Sequence, residues 1–402
     1  MRSPHGHHVA TSHPTGTSLV AGAAPVAAAD GGRRSWLPRR LRPPALLRLT
    51  RRPALGLGWG GDDAGLSCAA VDAAAPATVR STAVAASPAS DAVVVVARAD
   101  APPYLHRTGI LSGYRLGGSA LSAFPALFTA HNEAGNVWTM LGGVALATAL
   151  YWSAATSVAA AAPGSLPPLA AALPCGPLLP FRLLYGAVAA HNPASVGLHL
   201  WIGRGEGFRR VWRSADVALI QVASVALAVA LAMPLVAEVG GVTGQAGPGG
   251  WAWWWWAWLF AVGALFVFNV ASTMVLRRVW TISKARLTRD MAVLVACYLA
   301  PLVAHAAWWA GGGAAAPRGV GEVVLPSAAA AREAAGCGLA AAAAVGVGGL
   351  LYAKHWPELW APGRFDILGH SHQWMHVGAF VAHYFQWRFL SALLLPRAGG
   401  GD

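Results

Sequence analysis

Apolar runs near 20 residues dominate the chain from Asn132 onward, each closed by a short cluster of charged, Gly or Pro residues. A helix rises about 1.5 Å per residue, so about 20 apolar residues match a hydrocarbon layer of ~30 Å. Seven such runs predict seven spans, at about Asn132 to Trp152, Leu166 to Ala190, Asp216 to Val239, Trp251 to Thr273, Met291 to Ala310, Glu333 to Ala353 and His370 to Leu395. The second holds several prolines and the sixth is mostly Ala and Gly, so these two carry the weakest helical signal. Membrane helices tolerate both residue types where neighbours satisfy the backbone. The fourth opens with WAWWWWAW, indoles suited to the headgroup layer at one membrane face.

Composition agrees with that pattern. The chain has 402 residues, 56% hydrophobic and 11% charged, with mean hydropathy +0.49. Soluble globular proteins carry roughly 25% charged residues, so an ordinary soluble enzyme is excluded. The predicted fold class is all-α, a seven-transmembrane helical bundle over residues 101–396. Residues 1 to about 100 are low in complexity and rich in Ala, Pro, Gly and Arg, with no acidic residue before Asp30. They read as a disordered cytoplasmic tail or, being Arg-rich and poor in acids, as a leader. Val93 to Val96 is too short to span anything.

The net charge of +13 rests on arginine, since Lys284 and Lys354 are the only lysines. A basic chain invites a nucleic-acid reading, but the arginines fall in the tail and in alternate loops. The second connection has Arg204, Arg209, Arg210 and Arg213, the fourth has Arg277, Arg278, Lys284, Arg286 and Arg289, and the first and third have none. That alternation predicts a cytoplasmic N-terminus and an extracellular or lumenal C-terminus. The partner it implies is a lipid bilayer, with no nucleic acid, and the location is a plasma membrane or endomembrane. Cys68, Cys175, Cys297 and Cys337 show no CxxC spacing, which argues against a thiolate metal site or a disulfide framework.

Ionisable groups inside spans are costly and usually functional. Here Glu133, Asn136, His191, Asp216, His370, His372 and His376 gather at span ends predicted to share one depth. His372 and His376 lie one turn apart on one face and can clasp one metal ion, and Asp216 could orient a metal-bound water. His383 lies about 10 Å beyond His376 and reads as a packing or outer-leaflet residue. Glu133 and Asn136 read as structural, the first favoured at a helix N-terminus and the second bridging helices. Arg364 and Asp366 read as fixing the turn into the last span, while Pro357 and Pro362 stop the sixth helix.

Three blocks resemble the progestin and adipoQ receptor family, which includes adiponectin receptors, plant heptahelical proteins and haemolysin-III-like proteins. They are YLHRTGILSGYR (Tyr104 to Arg115) with HNEAGNVWT (His131 to Thr139), Asp216 after the basic loop, and LYAKHWPELWAPGRFDILGHSHQWMHV (Leu351 to Val377). The resemblance covers roughly residues 101–395. It implies a heptahelical fold with the N-terminus inside. It also implies zinc near the cytoplasmic side, held by one histidine of span two and two of span seven, with a third-span aspartate contacting the zinc-bound water. By position His372 and His376 match the span-seven ligands and Asp216 the aspartate.

The family's span-two pattern is Ser-x-x-x-His. Laid on the predicted second span, it puts Arg182 at the serine and Gly186 at the histidine, and leaves a loop about a dozen residues longer than usual. Met140 stands where a further histidine is expected. His191 is the nearby substitute, but it lies five residues on, about 140° around the helix and about 7.5 Å along it. It would reach the metal only if span two shifts or kinks, as at Pro180. Asp216 binding directly, or no metal at all, are the alternatives. The function so implied is a receptor-like membrane protein answering an extracellular or lipid ligand. The alternatives are a zinc-dependent lipid-amide hydrolase of ceramidase type and a metal-free pseudo-receptor.

Overall fold

A computed structural model of the chain describes residues 93–173, 175–243, 253–271, 284–311 and 326–396, all within one compact unit. The tail expected before residue 92 therefore lies outside the described residues. Val93–Val96, too short for a span, forms strand β1 and pairs antiparallel with β2, Tyr114–Gly117.

Among the described residues seven long helices follow: α1 Ala134–Ala159, α2 Leu179–Trp201, α3 Glu206–Thr243, α4 Trp253–Ala271, α5 Lys284–Ala310, α6 Ala328–Lys354 and α7 Ser371–Leu394. By length and composition four of these, α1, α3, α5 and α6, can cross a membrane, and Trp255–Ala271 of α4 is a shorter apolar helix. In α2 and α7 polar side chains replace part of the apolar face, and these helices carry the candidate site. α1, α2, α3, α5, α6 and α7 each pack on the next, α7 closes onto α1, and α4 rests against α3 and α5.

Two boundaries differ from expectation, for identifiable reasons. The second helix covers Leu179–Trp201 rather than 166–190. Pro167 and Pro168 support only a single turn, Pro168–Ala171, and helix α2 starts with Pro180 in its first turn, where a missing N–H costs nothing. Pro193, which follows His191 and Asn192, lies inside α2. The third helix begins at Glu206, so Arg209, Arg210 and Arg213 form its first turns and not a loop. Between α2 and α3 remains only the turn Ile202–Arg204 and Gly205. The long loop inferred from sequence is helix at both ends.

The Ala- and Gly-rich α6 is explained by close packing. A Cβ on Gly378 of α7 would fall 2.6 Å from the Ala344 carbonyl oxygen and 3.2 Å from the Gly348 Cα. Small residues let membrane helices approach at backbone distance. Ser327 caps α6 by accepting a hydrogen bond from the Ala330 N–H at 3.2 Å.

The segment before α1 folds against the α6–α7 connection. Asp366 is buried and accepts from the Leu111 N–H at 3.0 Å and from the Ser112 hydroxyl at 2.6 Å. It thus ties two distant segments together, in place of the expected local turn with Arg364. Glu358 accepts from the Ser371 N–H at 2.7 Å and from its hydroxyl, satisfying an orphan donor at the start of α7. His131, fully buried, accepts from the Glu133 N–H at Nδ1 (3.1 Å) and donates from Nε2 to the Ala126 carbonyl (3.1 Å).

That geometry suits a neutral ring. Burial and then Arg115 push the His131 pKa down from 6.5 to about 4. An unfolded chain takes up a proton as pH falls below 6.5, whereas the folded ring resists until about 4. Stability conferred by the neutral ring is therefore full above pH 6.5 and lost on acidification towards 4, by about 3 kcal/mol in all. Unfolding in detergent across this range should show a shallower acid loss for His131→Asn than for wild type. Parallel pH profiles would refute it.

Candidate metal centre

Helix α7 starts at Ser371 because Gly369 (φ 83°) and His370, extended as N-cap, break the preceding chain. His372 and His376 then fall one turn apart, with ring centres 4.8 Å from each other. The third ring beside them belongs to His199, near the C-terminal end of α2, at 5.1 Å from His372 and 5.3 Å from His376. One ligand nitrogen from each of the three lies within 4.8 Å of the others. His199 and His376 are buried and His372 is half-buried.

The other expected residues lie differently. His191 is not in this group: its Nε2 sits 3.2 Å from Asp216 Oδ1, across the α2–α3 contact. It precedes His199 by eight residues, about 12 Å along the helix. Asp216 is likewise paired with His191 rather than placed among the three rings, so the arrangement does not favour its direct ligation. Gly186 lies 13 residues, or about 20 Å along the helix, before His199 and is not among the three clustered residues. The helix lies further along the chain than the apolar run predicts. With the observed helix, the Ser-x-x-x-His pattern is Ser195-Val-Gly-Leu-His199. Met140 is buried, and its carbonyl accepts from the Asn192 amide at 3.0 Å. His383 hydrogen-bonds Gln386 Oε1 at 2.9 Å, and His370 donates from Nε2 to the Asn132 carbonyl at 2.9 Å. Both are structural contacts.

Polar groups at the start of α1 flank two of the three rings. Glu133 Oε2 lies 2.7 Å from His199 Nδ1, and Thr139 Oγ1 lies 3.1 Å from His376 Nδ1. Glu133 also accepts from Arg107 Nη2 and from Asn136 Nδ2, each at 2.6 Å. His199 Nε2 is buried with no hydrogen-bond partner among the described residues. A buried, unpartnered imidazole nitrogen on a ring beside two others is compatible with a metal site. A cavity of about 60 Å³ adjoins His372 and is bordered by Arg107, Thr108, Tyr352 and Ser371. It has room for about four waters.

The sequence profile of haemolysin-III-related proteins matches residues 128–387. Heptahelical transmembrane protein 4 of Arabidopsis thaliana is 50% identical over 52 residues, 11% of this chain and 14% of that protein. Membrane progestin receptor gamma-A of Danio rerio is 58% identical over 38 residues, 10% of this chain and 11% of that protein. Membrane progestin receptor delta of Homo sapiens is 55% identical over 38 residues, again 10% and 11%. The chain thus aligns with only about a seventh or less of the length of these relatives. Profile and helices together make it a multipass integral membrane protein.

Proposed function

Because the chain belongs to the haemolysin-III-related family, we propose that it is a receptor-like heptahelical membrane protein with a zinc centre at His199, His372 and His376. The observation that carries the proposal is the approach of three imidazole nitrogens from α2 and α7 to within 4.8 Å in the bundle interior. Neutral imidazoles in a water-poor interior suit zinc, which would tie the end of α2 to the start of α7. The ligand class is a lipid or extracellular molecule, as the receptor names of relatives suggest. Arginine placement supports a cytoplasmic N-terminus with the site on the same side of the membrane. Metal analysis of detergent-purified protein should find near one zinc per chain, reduced strongly in His372→Ala. A wild-type content near zero would leave the metal-free pseudo-receptor standing.

A second reading is favoured by the count of ligands. Three protein ligands leave zinc a fourth position, the mark of catalytic rather than structural sites. A zinc-dependent lipid-amide hydrolase would use that position to activate water, with the three histidines holding the ion and Asp216 as water-orienting carboxylate. Ceramide hydrolysis by wild type, compared with His372→Ala, tests it. Equal rates would remove the enzymatic reading. Asp216→Asn probes the carboxylate separately: an orienting role weakens metal binding about 10- to 100-fold, whereas a role confined to His191 leaves it unchanged.

A further inference from the structure

A histidine has two ring nitrogens, and the one that binds metal is chosen by what the other one holds. The partners of His199 and His376 make that choice the same way. Glu133 is a carboxylate, which only accepts, so His199 Nδ1 carries the hydrogen across their 2.7 Å contact. Thr139 has one hydroxyl hydrogen, and the carbonyls of Gly135 (2.8 Å) and Asn136 (2.9 Å) both compete for it. Its oxygen is left to accept from His376 Nδ1 at 3.1 Å. In both rings Nε2 is then the unprotonated nitrogen. In His199 that atom is buried and without a partner.

The carboxylate cannot turn away from its task. Arg107 holds Oε1 at 2.6 Å, Asn136 holds Oε2 at 2.6 Å, and the side chain of Glu133 is almost wholly buried. We propose that Glu133 and Thr139 are positioning residues: from α1, which supplies no ligand, they fix the Nδ1–H tautomers of His199 and His376 and so turn both Nε2 atoms onto the shared metal position. Arg107, brought in by the segment before α1, acts one step further out by fixing Glu133. Glu133 is then more than a charge at a helix N-terminus. The inference rests on the zinc reading for its purpose, but the tautomers it names exist without any ion.

Two measurements test it on Glu133→Gln and Thr139→Val, with Thr139→Ser as the conservative variant. In the metal-free full-length protein, nitrogen NMR of labelled histidine should show protonated Nδ1 at both rings. Thr139→Val should disturb His376, Glu133→Gln should disturb His199, and Thr139→Ser should restore the wild-type pattern. With zinc, competition against a chelator should show affinity lowered about 10- to 100-fold in Glu133→Gln and in Thr139→Val. The visible spectrum of the cobalt-substituted protein should shift in both. Thr139→Val keeps shape and carries no charge, so it reports even if loss of the Arg107 partner impairs folding of Glu133→Gln. Protonated Nε2 in the wild type, or zinc affinity within twofold in both variants, would overturn the proposal. Wild-type protein that binds no zinc, yet keeps the Nδ1–H tautomers and loses them in the variants, would overturn the zinc centre and leave the orienting role standing.

Discussion

His199→Ala should abolish measurable zinc binding, while His191→Ala should leave stoichiometry near that of the wild type. Both residues lie on α2, eight positions apart, and both are histidines with a carboxylate partner. Their environments differ in kind. His199 meets the rings of His372 and His376 and keeps an unpartnered Nε2. His191 has its Nε2 engaged by Asp216 at 3.2 Å. Removing one of three ligands from a zinc site should cost more than the roughly 10- to 100-fold typical of losing an outer partner. Thermal unfolding with and without added zinc supplies an independent reading. Zinc that binds only the folded state raises the wild-type midpoint, and it should not raise that of His199→Ala. Comparable zinc loss in His191→Ala would shift the centre along α2 and contradict the geometry.

The contrast between these two histidines shows where sequence reasoning stops. The apolar runs announced all seven helices, and the i, i+4 spacing of His372 and His376 put two rings on one face because α-helical geometry is local. His199 was missed for a local reason as well. Asn192-Pro193 resembles a helix end, and the proline-rich stretch 167–180 resembles a poor but extended span. Inside a bundle, the backbone group freed by Pro193 is tolerated, so the helix runs on for two more turns and carries Ser195 and His199 with it. The Ser-x-x-x-His pattern is present past the proline, at Ser195 and His199. The basic residues before Asp216 misled in the same direction: charge at the end of a span marks where the apolar layer stops, not where the helix stops. Glu133 and Thr139 belong to another class. Their partners are 66 and 237 residues away, and no periodicity encodes which helix faces which. Such contacts follow from the packing of α1 on α2 and α7 and become visible only once that packing is known.

A second polar pair lies apart from the three histidines and should govern stability rather than metal. Glu238 of α3 and His305 of α5 are both fully buried, with Oε1 and Nε2 3.4 Å apart. Among the described residues neither oxygen of Glu238 nor either nitrogen of His305 has a hydrogen-bond partner, and the rings of His305 and Phe389 meet nearly at right angles, 5.2 Å between centres. An ion pair in such surroundings repays its desolvation poorly, and breaking one by removing a single partner typically costs about 3–5 kcal/mol. The two single replacements should nevertheless differ. A carboxylate is costlier to bury alone than an imidazole, so Glu238→Leu leaves behind the cheaper of the two groups. His305→Leu strands a fully buried carboxylate without its 3.4 Å partner in an apolar interior, where an uncompensated charge is costly. His305→Leu is therefore expected to be the more destabilising, by a few kcal/mol, near the upper part of that ~3–5 kcal/mol range. The double variant should recover most of this loss, since replacing a buried pair by apolar residues is often neutral or stabilising by about 1–4 kcal/mol. A double-mutant cycle from unfolding in detergent measures the coupling. Additive losses, or a double variant weaker than either single one, would show that the pair holds α3 and α5 together rather than burdening their contact. Zinc content should stay at the wild-type level throughout, because neither residue belongs to the three-histidine group.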